Sequence, residues 1–416
     1  MAANPEALRI ALLTYRGSPY SGGQGVYTRY LAGALTDLGH IVDVYSGPPY
    51  PDLDEHVPLV KVSSLDLYRR DDPFRRPARD EFRTPVDALE YALMCTAAFP
   101  EPLTFSLRVA SALRRISNRY DVVHDNQCLG YGLLAIERMG LPVVATVHHP
   151  IPLDRKLDLA NAPSFKKKVS LRRWYSFCRM QGRVARRLRG IIAVSEAAGR
   201  DTQKKFRVRP DRISVVHNGV DSELFRPLPE VAARPGSIIT TASADVPLKG
   251  LIYLIEAVAK LNTERDVELV VIGRARSAGA VETAIKRLGI ENIVRFENSV
   301  EPLRLTRLFA EAEVAVVPSL YEGFSLPAVE AMACAVPLVA TTAGALPEVV
   351  GPDGQAARLV SPGNPEELVA AVKQVLDDRA MRQRMGDAGR RRALERFTWH
   401  RAAEATVDEY RRVLTC

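Results

Sequence analysis

The sequence predicts an α/β protein of two Rossmann-like domains, each built on a parallel β-sheet. Short runs of β-branched residues recur between helical stretches, as in LRIALLTY at 8–15 and DVVHDN at 121–126. Continuously apolar strands of this kind are typical of parallel sheets that helices cover on both faces. A chain of 416 residues is also too long for one ordinary domain and suits two.

The predicted strands fall into two groups. In the first half they continue at 41–47, 141–149, 190–196 and 213–219, and in the second half they lie at 237–243, 267–273, 292–298, 313–319 and 336–344. We predict an N-terminal domain at 1–220, an irregular proline-containing linker at 221–236 and a C-terminal domain at 237–396. The helix predicted at 397–416 packs back on the N-terminal domain. Residues 52–105 are only weakly periodic and predict no element.

Composition narrows the class of protein. The five cysteines are far apart and form no CxxC pair, so we expect reduced thiols and no structural zinc. No run is long enough to span a bilayer and no signal peptide is evident, which predicts a cytoplasmic protein. The net charge of +8 favours an anionic partner, and nucleotide sugars, phospholipid surfaces and nucleic acid all meet that description.

The segment EGFSLPAVE at 322–330 carries the strongest chemical signal. It follows a predicted strand and opens a helix, with Ser325 as the expected N-cap. Free N–H groups at a helix start hold phosphate, and the carboxylate of Glu330 suits the two hydroxyls of a ribose. Glu322 precedes the turn, nearer to the sugar. From these residues alone, an ordinary capped helix with one exposed glutamate remains the alternative.

The wider order of residues resembles the family-4 retaining glycosyltransferases of the GT-B fold over nearly the whole chain. The matching features are Glu322 and Glu330 with seven residues between them, Lys249-Gly250, the loop SPYSGGQGVYTRYL at 18–31, the stretch Asn218 to Asp221, and FTWHRAAEATVDEY at 397–410. The resemblance implies two domains that face each other across a cleft. It also implies transfer of a hexose, with retention, from a nucleoside-diphosphate sugar to a hydroxyl of a glycan, lipid or small molecule.

The resemblance also assigns roles. It implies that Glu322, His148 and Lys249 act at the reacting sugar and the leaving diphosphate. Donor binding falls to Gly22, Gly23 and Gln24 in the first loop, to Lys249, and to Gly323, Phe324, Ser325, Leu326 and Glu330 around the second-domain helix; Arg274 is our own addition to this set. No cofactor is implied, and no metal is expected because no DxD motif ends a strand.

Two positions depart from the family pattern. Ala244 stands where the family has an arginine, and we take Arg274, at the end of a predicted strand, as the candidate substitute. His149 stands where an aspartate usually follows the histidine, and we place His148 rather than His149 at the site. We interpret His124 and His217 as structural.

The basic segment 166–190 has two interpretations of equal weight. As one helix it would carry lysines and arginines on one side and Trp174, Phe177 and Met180 on another, which suits the anionic inner face of a membrane. A solvated surface helix is the other interpretation. The rival functions are a sugar-nucleotide epimerase or phosphorylase on the same fold and, more distantly, an NAD-dependent oxidoreductase or a nucleic-acid binder. The chain lacks a complete GxGxxG motif and any recognisable nucleic-acid signature, so we expect no nucleic-acid partner.

Overall fold

The computed structural model describes residues 7–18, 23–69, 71–242, 246–274 and 279–415. Contacts divide the chain into two compact units, the first comprising Met1–Val216 with Ala402–Cys416 and the second His217–Arg401. Each unit is built on one parallel β-sheet in the Rossmann manner. The predicted fold class is therefore confirmed.

The first unit has a seven-stranded sheet in its described part, with the order β3-β2-β1-β4-β5-β6-β7. Its strands are β1 Arg9–Thr14, β2 Ile41–Ser46, β3 Leu59–Lys61, β4 Val122–Asn126, β5 Val143–Val147, β6 Gly190–Ala193 and β7 Ile213–Val215. All neighbouring strands run parallel. Because β1 lies beside β4, the order of strands reverses there, and ligands of such sheets bind at this reversal.

Helices connect these strands. They are α1 Gln24–Asp37, α2 Pro85–Cys95, α3 Glu101–Leu113, α4 Tyr131–Arg138, α5 Pro152–Ala160, α6 Phe165–Trp174, α7 Phe177–Ala185 and α8 Glu196–Phe206. The buried side chains of β1, β4 and β5 pack with those of α3, α4 and α7 in one apolar core, represented by Leu13, Val123, Val147, Val109 and Val184.

The second unit has a six-stranded sheet, again counted over the described residues, with the order β10-β9-β8-β11-β12-β13. Its strands are β8 Ser237–Thr240, β9 Glu268–Ile272, β10 Val294–Glu297, β11 Val314–Val317, β12 Leu338–Thr341 and β13 Ala357–Val360. The helices are α9 Leu251–Leu261, α10 Ala280–Leu288, α11 Pro302–Glu311, α12 Leu326–Ala333, α13 Leu346–Val350, α14 Pro365–Asp377 and α15 Arg379–Arg396. All of its neighbouring strands are parallel as well.

The last helix, α16 Trp399–Leu414, belongs to the first unit from Ala402 onward. Its Tyr410 is fully buried, and the hydroxyl lies 2.6 Å from Nδ1 of His124 on β4. The other ring nitrogen of His124 lies 2.7 Å from Oγ1 of Thr146 on β5. Burial lowers the pKa of His124 to about 3, so this imidazole is neutral and links the helix to the sheet.

Two strands, β3 and β13, were not predicted from the sequence, and neither were helix α2 and the start of α3, which lie in the region 52–105. Strand β3 lies in the weakly periodic region 52–105, and strand β13 contains Arg358, so neither has a long apolar run. Both are at an edge of their sheet, where one strand neighbour is absent and short, polar strands are common.

The segment 166–190 is two helices, α6 and α7, rather than the single helix expected. The aromatic side predicted for a membrane surface is packed inside the protein. Trp174 stacks in a cluster with Tyr68 and Phe99, and Met180 is buried in the core of the first unit. The expected amphipathic side was wrong because Trp174, at the end of α6, packs against Tyr68 and Phe99, while α7 places Met180 in the core of the first unit.

Candidate active site

In the second unit, four candidate site residues follow strands that end at the same edge of the sheet. Lys249 comes after β8, Arg274 after β9, Glu322 after β11 and Gly344 after β12. The carboxyl edge of a parallel sheet is where ligands of such folds bind, because loops and helix starts meet there.

Backbone contacts hold these loops close together. The amide of Leu320 donates to the carbonyl of Leu248 at 2.7 Å. Gly250 has a φ of +65°, and a Cβ there would lie 2.0 Å from the carbonyl oxygen of Pro318. Only glycine permits both this left-handed backbone and this approach. The loop that carries Lys249 is thereby fixed against the loop that carries Glu322.

Glu322 is buried, with 6% of its surface exposed, and has two donors on one oxygen. Lys249 Nζ and Ser319 Oγ both lie 2.8 Å from Glu322 Oε1. A buried carboxylate is costly unless it is paired and hydrogen-bonded, and these two groups supply that compensation. Among the described residues none donates to Oε2, which leaves this oxygen as the acceptor for a ligand hydroxyl.

The start of α12 differs from the expected capped helix. Ser325 does occupy the N-cap position, but its side chain makes no capping hydrogen bond and its φ is +90°. This left-handed conformation is strained for a residue with a Cβ, and such strain concentrates at functional sites. The Ser325 Oγ is buried and has no hydrogen-bond partner in the described part of the chain. First-turn N–H groups that lack helical acceptors lie beside it.

Phe324 is turned into the protein. It is buried, and its ring packs against those of His217 and Phe397. His217 in turn lies 2.7 Å from a carboxylate oxygen of Glu348. The phenyl ring therefore anchors the loop, and only the backbone of Phe324 is left to meet a ligand. Gly323 lies between it and Glu322.

Glu330 lies on α12, one turn beyond the helix start. Burial alone raises the pKa of Glu330 to about 7, because desolvation disfavours the charged carboxylate. Behind it, the Arg390 guanidinium donates to the carbonyl of Ala333 and so satisfies the end of the helix. A ligand that donates hydrogen bonds to Glu330 would therefore stabilise the charged form of this carboxyl group.

The first unit presents a second group of predicted residues. Gly23 has a φ of +72° and precedes α1, which begins at Gln24. The next residue, Gly25, was not singled out from the sequence, but a Cβ there would lie 2.2 Å from the carbonyl oxygen of Ser18. Gly22 lies outside the described residues.

His148 follows β5 and is joined to this loop through Asn126. Its Nε2 lies 2.6 Å from Asn126 Oδ1, and Asn126 Nδ2 donates to the carbonyl of Gln24 at 3.1 Å. The edge of the His148 ring packs against Tyr27, with the centroids 4.6 Å apart. Burial, with a smaller effect of neighbouring His149, lowers the pKa of His148 to about 3. His149 instead pairs with Asp154 on α5.

The structure therefore brings the predicted residues together in two clusters, one in each unit. Arg274 is exposed at the carboxyl edge of the second sheet, and the position of Ala244 lies outside the described residues. Sequence reasoning missed Ser319, Gly344, Asn126 and Gln127. Asn126 is the last residue of β4 and the other three follow a strand, a position that is typical of ligand sites, but the contacts that make these residues candidates become visible only in the structure.

Within the described ranges, no group of three or more His, Cys, Asp or Glu side chains is arranged to hold a metal ion. A search of those same residues finds no helix with the length and apolar character needed to cross a membrane.

Comparison with known proteins identifies the class. The family model described as Glycosyltransferase Family 4 matches residues 21–224, and the model described as Glycosyl transferases group 1 matches residues 231–392. The chain belongs to this glycosyltransferase family, as the sequence resemblance predicted. It is an enzyme that transfers a hexose from a nucleotide sugar, and the matches give no support to an epimerase, a phosphorylase or a nucleic-acid binder.

Individual relatives support the same assignment. The MMP alpha-(1->4)-mannosyltransferase of Mycolicibacterium hassiacum is 52% identical over 408 residues, covering 98% of both chains. The D-inositol 3-phosphate glycosyltransferase 2 of Catenulispora acidiphila is 29% identical, covering 97% of this chain and 95% of that one.

Solved structures share the fold. Sucrose-phosphate synthase from Thermosynechococcus elongatus has a TM-score of 0.72 at 21% identity, covering 98% of this chain and 99% of that chain. Anabaena Alr3699/HepE in complex with UDP and glucose has a TM-score of 0.70 at 20% identity, covering 96% and 98%. These likenesses extend the GT-B assignment to the whole chain.

The contact between Gly344 and Glu322 gives the first prediction. Gly344 has a φ of +58°, and a Cβ there would lie 2.1 Å from the backbone oxygen of Glu322. We expect Gly344→Ala to displace this loop and to lower kcat/KM by about tenfold or more, since small misplacements of reacting groups are costly. Steady-state kinetics of the purified variant checks this.

Gly289→Ala is the matched control. Gly289 has a φ of +67° but no atom within 4 Å of the added Cβ. Both variants pay about 1–2 kcal/mol for the left-handed backbone, but only Gly344→Ala meets the Glu322 loop. An equal effect of the two substitutions on kcat/KM would show that the contact with Glu322 does not matter.

Proposed function

We propose that this enzyme is an α-(1→4)-mannosyltransferase that uses a nucleoside-diphosphate mannose as donor. The single observation that carries the proposal is the 52% identity, over 98% of both chains, to the mannosyltransferase of Mycolicibacterium hassiacum. At this similarity the substrate-contacting residues of two enzymes are commonly shared. The acceptor is a sugar whose 4-hydroxyl attacks the anomeric carbon.

The donor binds, in this proposal, at the carboxyl edge of the second sheet. Glu330 accepts hydrogen bonds from the ribose hydroxyls. The diphosphate lies at the start of α12, where the unpartnered Oγ of Ser325 and the free N–H groups face it. Lys249 adds the positive charge, and Arg274 is positioned at the same edge to supply more.

The chemistry needs charge compensation more than a side-chain base. The bond between the anomeric carbon and the diphosphate breaks, and a bond to the acceptor oxygen forms on the same face, so the α configuration is retained. The acceptor proton passes to the leaving phosphate oxygen. Lys249 stabilises the negative charge that this phosphate gains, and Glu322 Oε2 orients a sugar hydroxyl. His148 accepts a hydrogen bond from the transferred sugar.

A donor screen tests the proposed function. We expect mannose nucleotides to raise the unfolding temperature more than the corresponding glucose nucleotides, because a ligand that binds only the folded state stabilises it. With the best donor and a panel of mono- and oligosaccharide acceptors, NMR of the product should show a new α-(1→4) linkage. A β linkage, or transfer of glucose in preference to mannose, would contradict the proposal.

The raised pKa of Glu330 predicts how donor affinity depends on pH. The carboxylate, not the carboxylic acid, accepts both ribose hydroxyls, so binding requires loss of a proton below a pKa of about 7. Affinity for the intact sugar nucleotide should fall by up to about tenfold per pH unit below that pKa and level off above it. Calorimetry between about pH 5.5 and pH 8.5 measures this.

Glu330→Gln is the control for this titration. The amide has no proton to lose, so the variant should bind the donor more weakly and with little dependence on pH. The intact sugar nucleotide is used because its diphosphate carries no group that titrates in this range. A slope in Glu330→Gln as steep as that of the unaltered enzyme would assign the titration to another group.

The predicted contact with an anionic membrane surface stays a proposal, now restricted to α6. Phe165 and Val169 are 75% and 43% exposed and lie one turn apart, beside Lys166, Lys167 and Lys168. Exposed apolar residues flanked by lysines suit the surface of an anionic bilayer. This placement is independent of the proposed reaction.

Cosedimentation with vesicles tests the contact. We expect binding to phosphatidylserine-containing vesicles, and weak binding to neutral ones, that falls when Lys166 to Lys168 are replaced by glutamine. Replacement of Lys204, Lys205 and Arg207, exposed on α8 and directly after it, removes the same charge elsewhere and should have less effect. Equal losses of vesicle binding from both sets of substitutions would show that only the net charge of the protein matters. That result would contradict a specific contact through α6.

A further inference from the structure

Two consecutive residues at the end of β4, Asn126 and Gln127, have buried side chains that both reach the segment after β5. Asn126 is fully buried, and Gln127 is 4% exposed. Gln127 also has a φ of +55°, a conformation that non-glycine residues adopt only when the surroundings impose it. Here the imposed backbone directs both amide side chains toward His148 and His149.

The contacts of Asn126 determine which ring nitrogen of His148 carries the proton. Asn126 Nδ2 donates to the carbonyl of Gln24 and, at 2.9 Å, to Thr28 Oγ1. A carbonyl oxygen only accepts, so the amide orientation is fixed and Oδ1 must face His148. His148 Nε2 therefore donates the proton, and Nδ1 of the neutral ring is left as an acceptor.

Gln127 holds the backbone on which this ring is mounted. Its Oε1 accepts from the amides of His148 and His149, at 2.5 and 3.2 Å. Its Nε2 donates to the carbonyl of His149 at 2.7 Å. One side chain thus satisfies three backbone groups of a loop that lacks secondary structure, which removes freedom from the position of His148.

We propose that Asn126 and Gln127 are positioning residues that present His148 as the Nε2–H tautomer, with Nδ1 ready to accept a hydrogen bond from a hydroxyl of the transferred sugar. The sugar contact rests on the proposed function, whereas the tautomer does not. An acceptor nitrogen recognises a hydroxyl as a donor and cannot be replaced by an imidazolium, in which both nitrogens donate.

Asn126→Asp tests the tautomer. A carboxylate beside Nε2 favours the imidazolium and raises the pKa of His148, because the opposite charge stabilises the protonated ring. The other titratable groups around this ring are His149, His124 and Tyr27. Nitrogen-15 NMR should show the Nε2–H tautomer in the unaltered enzyme and a protonated His148 in the variant near neutral pH.

Activity should follow the protonation state. We expect Asn126→Asp to lower kcat by about tenfold or more at neutral pH, the cost of one lost hydrogen bond in the transition state, and to recover as pH rises and His148 deprotonates. Affinity for the nucleoside diphosphate alone should not change. Asn118→Asp, which adds the same charge at an exposed position of the same unit, should leave kcat unchanged.

Gln127→Glu is the second variant. It keeps an acceptor oxygen for the amides of His148 and His149 but places a carboxylate oxygen against the carbonyl of His149, so kcat should fall by several-fold and the unfolding temperature should fall as well. Gln127→Asn is too short to make the contacts and should not rescue activity. Gln127→Glu keeps the proposal testable if Asn126→Asp fails to fold.

The outcomes separate the two proposals. An Nδ1–H tautomer in the unliganded enzyme, or full activity of a folded Asn126→Asp or Gln127→Glu enzyme, would overturn the positioning role while leaving the proposed function standing. Conversely, an enzyme that transfers no mannose but shows the Nε2–H tautomer would contradict the proposed function and the sugar contact, and would support only the positioning of His148.

Discussion

The ion pair between Lys249 and Glu322 is the interaction on which the second-unit site depends. The Glu322 carboxylate lies at the end of a parallel sheet with little access to water, and would be destabilising there without a cation and a hydroxyl donor. Lys249 and Glu322 lie 73 residues apart. They meet because glycines at 250 and 344 allow three loops to approach one another at backbone distance. The strained start of α12, at Ser325, comes directly after the loop that carries Glu322.

The ion pair between Lys249 and Glu322 also bears on how the diphosphate of a donor would be bound. Before binding, Lys249 pairs with Glu322 and compensates the charge of this buried carboxylate. A bound diphosphate would share Lys249 with Glu322, to which Ser319 also donates. Because the family arginine is replaced by Ala244, more of the phosphate charge would fall to α12 and Arg274 than in other members. This redistribution is part of the proposed function.

The fold could be predicted well from the sequence because the apolar patterns that indicate strands and helices are local. Runs such as LRIALLTY and VELVVIG become β1 and β9 almost residue for residue, and the family match supplied the architecture. The polar edge strands β3 and β13 were missed because their apolar signal is too short. The apolar side of 166–190 was misjudged because burial depends on which element packs against a residue, and periodicity alone does not give this.

Some residues of the candidate site could be proposed from the sequence. Glu322, Lys249 and Glu330 could be found because their spacing is a family pattern. Asn126 and Gln127 could not, because their importance arises from contacts with Gln24 and with the loop after β5. These partners lie 21 residues or more away along the chain. Those contacts exist only once β1, β4 and β5 are neighbours in the sheet.

The most direct test of the donor site is a crystal structure of the enzyme with bound nucleoside-diphosphate mannose. We expect the ribose hydroxyls on the carboxylate of Glu330, and the diphosphate at the start of α12 within hydrogen-bond distance of Ser325 Oγ and Lys249 Nζ. A nucleotide bound away from the carboxyl edge of the second sheet, or a ribose that does not touch Glu330, would contradict the proposed donor site.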